Sequence, residues 1–187
     1  MNQTLKDIIS RRSVRTFKAE QIAEEVLHAI LDAGRAAPSS KNRQPWHFTV
    51  IQDKALMDQM VEENKEIVLA SPELAKVNGW VNVPNYHNFY HAPTVILISG
   101  EKENIWHVCD CALAMENMSL AAQSIAIGSC IVVSTRFLFS GDNAQKYTDK
   151  LGIPTGYVPL YALALGYNAG DEPQPTPRKD GCINYIR

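Results

Sequence analysis

The stretch from Glu103 to Ile127 constrains the fold more than any other part of the chain. It propagates as one helical pattern, and its second half is almost entirely apolar or small, with Ala112, Ala114, Ala121, Ala122 and Ala126. A helix that is apolar around most of its circumference belongs inside a protein, with other elements arranged about it. Gly128 then ends it, as glycine does just past a helix C-terminus. The chain has 187 residues, 45% hydrophobic and 20% charged, which excludes the disordered and fibrous classes. At this length roughly 70% of the unfolded surface can be buried, so a core forms without disulfides.

Around that segment the pattern alternates. Leu5, Ile8 and Ile9 share a face, predicting a helix over 4–10 with Thr4 as its N-cap. Residues 14–17 alternate like a short strand. Ile22, Leu27, Ile30 and Leu31 recur at helical spacing up to Arg35, and Pro38 bars continuation. Strands are expected over 46–51, 94–99, 129–134 and 157–167, and helices over 54–69 and 141–151. Residues 71–91 read as irregular, with Trp80, Tyr86, Phe89 and Tyr90 set among Asn78, Asn82, Asn85 and Asn88; a loop that long inside a domain is usually functional. Pro173, Pro175 and Pro177 make residues 168–187 an extended arm. No repeat or linker divides the chain, so residues 1–187 are expected to form one domain. Helices followed by strands alternating with helices define an α+β or mixed α/β sandwich. The connections between strands are too long for a simple hairpin meander.

Several function classes fall away. The formal charge of −2 supplies no field to recruit nucleic acid or an anionic membrane. The apolar runs 93–100 and 158–166 are well short of the ~20 residues needed to span a bilayer. The first residues carry no apolar leader, and Cys109, Cys111, Cys130 and Cys182 show no disulfide framework, so a cytoplasmic location is expected. Cys109 and Cys111 face apart on a helix and read as core cysteines rather than a chelate. No HExxH or Cys/His spacing points to a metal site. GxGxxG, GxxxxGK[ST] and GxSxG are all missing, which leaves dinucleotide-fold, P-loop and hydrolase-elbow readings without support.

Three features carry candidate chemistry. Arg11-Arg12-Ser13-Val14-Arg15 places three guanidiniums and a hydroxyl at a helix-to-strand switch, which suits a phosphate or simply solvated cations at a helix end. Pro38-Ser39-Ser40-Lys41-Asn42-Arg43-Gln44-Pro45 offers hydroxyl and amide groups, either for the polar edge of a ligand or for an ordinary turn. Arg178-Lys179 ends the proline-rich arm, as a third basic element or a frayed terminus.

Taken together, Arg11–Phe17, Ala37–Trp46, Ala92-Pro93 before a strand, Ala164-Leu165-Gly166-Tyr167 and the arm with Arg178-Lys179 resemble the FMN-dependent nitroreductase family over nearly the whole chain. The resemblance implies an α+β fold with a mixed, mostly antiparallel sheet flanked by helices. It also implies a homodimer joined around the long central helix, with two FMN molecules at the interface. Arg11, Arg12, Ser13 and Arg15 would contact FMN from one subunit, Arg12 nearer the pyrimidine edge and Arg11 and Arg15 nearer phosphate and ribityl. Pro38, Ser39, Ser40, Asn42 and Gln44 would lie along it from the other subunit. Asn85 falls at the offset of a flavin-facing Asn, Arg178 and Lys179 would complete the phosphate clamp, and a backbone N–H of Val132, Val133 or Ser134 would reach N5. The segment 131–136 departs from the aromatic and glycine-containing turn of many relatives.

The implied activity is NAD(P)H-dependent reduction of nitroaromatics, quinones or similar small acceptors by a ping-pong mechanism, with no catalytic side chain. Trp80, Tyr86 and Phe89 are then candidates for the substrate pocket, or else these aromatics belong to the core. Alternatives are another flavin reaction (dehalogenation, dehydrogenation or flavin cleavage) or a non-catalytic module binding a phosphorylated ligand or nucleic acid.

Overall fold

The computed structural model describes residues 1–77, 79–140 and 143–187, apart from the side chains of Val77 and Trp80. Thr94 to Gly100 is buried at every position, which is why this run lacks alternation. It lies within strand β2 (Thr94–Glu101), an inner strand of a four-stranded sheet. β1 (Trp46–Ile51) pairs with one edge of β2 and β4 (Tyr157–Gly166) with the other. β3 (Gly128–Val132) closes the far side against β4. All three pairings are antiparallel although the connections carry helices.

Helices cover both faces. On one, α5 (His107–Ser124) and α2 (Glu24–Arg35) bury Ile30, Met118, Ile96, Ile98, Leu163 and Leu165 together. Gly34 permits this approach, since a Cβ there would come within 2.8 Å of Met118 Cγ. On the other, α3 (Lys54–Ala70) and α6 (Asn143–Lys150) pack Met57, Met60, Val61 and Tyr147 against Val95 and Leu97. The result is an α+β sandwich of helix, sheet and helix. Between them these layers bring the ends of β2 and β3 beside the N-terminal segment.

Local chemistry moves several expected boundaries. α1 spans Gln3–Ser10 and is capped by Asn2, whose side chain accepts from Leu5 N; Thr4 lies inside it. Residues 14–17 make no strand. The extended segment pairs only at single bridges, Ser13 with Ser129 and Phe17 with Asn168. The long helix starts later than its pattern because Asn104 turns the chain, accepting from Trp106 N through its side chain and from His107 N through its carbonyl. It stops at Ser124, with Ala126 at φ 59° in the left-handed region beyond it. Nor is α5 covered all round in one chain. Val108 is 44% and Leu113 47% exposed, and Cys109 is exposed instead of core.

The irregular segment holds a short helix α4 (Pro72–Val77), begun by a proline at its first position, and a 3-10 turn at Gly79–Asn82. The strand expected to reach residue 134 ends at Val132, and a 3-10 turn (Ser134–Phe139) follows. Gly141, where the last helix was expected to begin, lies outside the described residues. Residues 169–187 are exposed and without regular structure.

Candidate functional site

The segment after α1 is extended, so its side chains alternate. Val14 N donates to Ser129 O at 2.9 Å, fixing the segment beside β3. Arg11, Ser13 and Arg15 then share one side and gather around Cys130. Burial is the largest influence on that thiol and pushes it up; the charges of Arg15 and Arg11 and hydrogen bonding with Ser13 and Tyr90 pull it down by less. Cys130 therefore stays a thiol, and Cys111, pushed up to about 12 by burial, does the same. Arg11 Nε lies 3.4 Å from Glu116 Oε1 on α5. The Arg15 guanidinium sits 5.8 Å from the centre of the Tyr90 ring, and hydrogen bonding to Tyr90 is the main cause of its raised pKa.

Arg12 turns the other way. Its guanidinium donates to Ile9 O and Arg11 O, both at 2.7 Å, and so satisfies carbonyls at the end of α1. It lines a separate cavity of about 250 Å³ with Gln123, Asn168 and Glu172. The period-two alternation thus separates Arg12 from the other three.

The loop after α2 carries backbone strain. Lys41, Asn42 and Gln44 have φ of 54°, 53° and 50°, a conformation that non-glycine residues keep only where their surroundings impose it. Three anchors do so. Ser39 Oγ accepts from Gln44 N at 2.9 Å, and Gln44 Nε2 donates to Asn42 Oδ1 at 3.1 Å. Ser40 N donates to Asp110 Oδ1 at 3.1 Å. Asp110 is 4% exposed in the first turn of α5, and its Oδ2 has no hydrogen-bond partner among the described residues. Sequence reasoning missed Asp110, although an acid on an otherwise apolar helix face was a usable signal. Pro38 and residues 41–44 are exposed, and among the described contacts none joins this loop to Arg11, Ser13 or Arg15.

Of the aromatic segment, Phe89 is 1% exposed and packed with Met57, Met60 and Leu97, so of its two readings the structure gives core rather than pocket wall. Tyr86 is half-buried against the same cluster, and burial pushes its hydroxyl far up. Asn85 is exposed at φ 58°, while the Trp80 side chain lies outside the described residues. Val132 is buried at the end of β3, Val133 is 44% exposed, and Ser134 opens the following turn. Arg178 and Lys179 are exposed in the arm, and no described contact links them to the arginines near β3.

The nitroreductase family model matches residues 8–167 of this chain. The chain belongs to the nitroreductase family. A putative NADH dehydrogenase/NAD(P)H nitroreductase from Archaeoglobus fulgidus is 32% identical over 174 residues, covering 89% of this chain and 86% of that protein. A nitroreductase with bound FMN from Bacteroides fragilis superposes with a TM-score of 0.91 at 33% identity, covering all of both chains. One from Desulfitobacterium hafniense, also with bound FMN, gives 0.90 at 32% identity and the same coverage.

Proposed function

We propose that this chain is an FMN-dependent oxidoreductase that takes electrons from NAD(P)H and passes them to nitroaromatics, quinones or similar small acceptors. The observation that carries the reading is the convergence of Arg11, Ser13 and Arg15 beside β3, in a chain whose FMN-bound structural neighbours share its full length. FMN, when bound, supplies the redox chemistry, accepting a hydride equivalent and returning the electrons in a second half-reaction.

The donor set fits such a group. Guanidiniums bind phosphate bidentately, and the buried Arg12 Nε has no hydrogen-bond partner among the described residues, while Arg11 Nε has only the Glu116 carboxylate at 3.4 Å. Arg11 and Arg15 are assigned to the phosphate and ribityl side, with Ser13 beside them. Arg12 is assigned to the pyrimidine edge, for which its guanidinium would leave the α1 carbonyls. Backbone N–H groups of Val132, Val133 or Ser134 would face N5, with Asn85 at the ring edge. Arg178 and Lys179 complete the phosphate clamp once the arm folds over. The role of these residues is to bind, orient and exclude water.

The second half of the site comes, in this reading, from a second copy. Leu5, Ile8 and Ile9 on α1 and Ile105, Trp106, Val108 and Leu113 at and before α5 are 44–80% exposed, apolar side chains that a single copy leaves uncovered. A homodimer would cover it and bring Pro38, Ser39, Ser40, Asn42 and Gln44 of each copy to the other's flavin. Among the described residues no helix is long and apolar enough to cross a membrane. The compartment we propose is the cytoplasm, supported by four unpaired cysteines.

The test is FMN titration of the purified protein followed by light scattering. A yellow dimer is expected, with FMN binding at least tenfold weaker in Arg15→Ala, a difference of about 1.4 kcal/mol. A colourless protein whose properties do not change on adding FMN would overturn the reading.

A further inference from the structure

Arg15 is exposed and long, so by itself its guanidinium would sample many rotamers, and a binding site pays for that freedom when a ligand arrives. The structure holds it against Tyr90, with the guanidinium carbon 5.8 Å from the ring centre. Tyr90 is itself in an unusual place. It and His91 lie consecutively in the left-handed region, at φ 55° and 54°, which bulky residues keep only under constraint.

That constraint is His87, 8% exposed. Its Nδ1 accepts from Phe89 N and from His91 N, both at 3.2 Å, and its carbonyl accepts from Tyr90 N at 2.8 Å. The neighbouring Phe89 is driven into the core. The backbone is thus pinned on both sides of Tyr90. Two N–H groups aimed at Nδ1 put the ring proton on Nε2, which faces Asp58 Oδ1 at 3.4 Å. Asp58, His87 and His91 bring three potential ligand atoms within 4.8 Å of one another. With its proton on Nε2, however, His87 has no lone pair left for a cation. The group works as a clasp.

We propose that Tyr90, clasped by His87, is the positioning residue for Arg15: it orients the guanidinium before FMN binds and need not touch FMN itself. This rests on the reading that Arg15 belongs to the flavin site. The test measures FMN dissociation constants by flavin fluorescence for wild type, Tyr90→Phe, Tyr90→Ala, Arg15→Ala and the double variant Arg15→Ala/Tyr90→Ala, each with a melting curve. A residue that acts only through Arg15 loses its effect once Arg15 is gone. Tyr90→Ala should weaken binding about fivefold to tenfold, and Tyr90→Phe, which keeps the ring, about twofold. In the Arg15→Ala background Tyr90→Ala should change affinity by less than about twofold. Losses that multiply in the double variant, or wild-type affinity in Tyr90→Ala, overturn the proposal. If Tyr90→Ala does not fold, the same cycle run with Tyr90→Leu, which fills the space without the aromatic face or the hydroxyl, decides on the same thresholds. Wild-type protein that takes up no FMN overturns the flavin reading instead, before any variant is compared.

Discussion

Two of the turns that keep non-glycine residues in the left-handed region, at 41–44 and at 87–91, are built in opposite ways. The loop at 41–44 lies exposed and is tied by side-chain anchors, with one buried carboxylate, Asp110, beneath it. The turn at 87–91 is folded around a buried imidazole and plugged into the core by Phe89. The first turn is strained where a second copy of the chain would meet it. The second is strained where it serves Arg15 of its own chain. Strain held by exposed anchors can be released without unfolding the domain, whereas strain held by core packing cannot.

The largest expected effect therefore falls on the buried turn. His87→Ala leaves two backbone N–H groups without their acceptor and a cavity in their place, at a cost of about 3–4 kcal/mol. Urea unfolding at pH 7 measures it. A loss below about 1 kcal/mol would put the 87–91 turn in the same class as the exposed one.

Acid should act on the same residue with similar size. Burial first, and the His91 ring second, push His87 down from 6.5 to about 4, while Asp58 opposes them. Lys54 adds a further small depression from α3. As pH falls from 6.5 toward 4, the unfolded chain takes up a proton that the folded chain refuses. Stability declines across that window, by about 3 kcal/mol at most. Asp58 and Glu63, both held below the usual carboxylate range by lysine partners, add their losses as pH falls below about 5. Melting temperatures recorded from pH 7 to 4 should fall for wild type, and the part of the slope between about 6.5 and 5 should vanish in His87→Ala.

Asp110 sharpens the contrast from the other side. Asp110→Ala removes the acceptor of Ser40 N but also an incompletely satisfied buried carboxylate, and the two changes oppose each other. The net stability loss should stay near 1 kcal/mol. The loop should nevertheless lose its register, and in the proposed dimer FMN affinity should fall about tenfold. Stability loss without any change in FMN affinity would make Asp110 a packing residue only.

The two turns also differ in how far the sequence announces them. Strand β1 over Trp46–Ile51 and the unbroken burial of β2 are legible because a single periodicity decides each. The shared side of Arg11, Ser13 and Arg15 follows from alternation, and the same rule separates Arg12 from them. Asp110 and Tyr90 are not legible as partners of Ser40 and Arg15, because each contact spans some 70 residues of chain that only the tertiary fold brings together. Phe89 stays undecided between pocket and core for a related reason: an aromatic residue in an irregular segment looks available until it is known which core it plugs.

The smallest effect is the most direct comparison of the two turns. Lys41 holds φ 54° with its side chain in solvent, so glycine there relieves the left-handed strain and gives up no packing. Glycine also enlarges the freedom of the unfolded chain, which costs roughly 0.4–1 kcal/mol and offsets most of that gain. Lys41→Gly should accordingly change stability by less than about 0.5 kcal/mol. Tyr90→Gly meets the same backbone demand at φ 55° but removes a half-buried ring that packs on the core and on Arg15. It should cost about 2–3 kcal/mol despite the relieved strain. Equal losses at the two positions, measured by the same urea titration, would mean that backbone conformation rather than burial governs both turns.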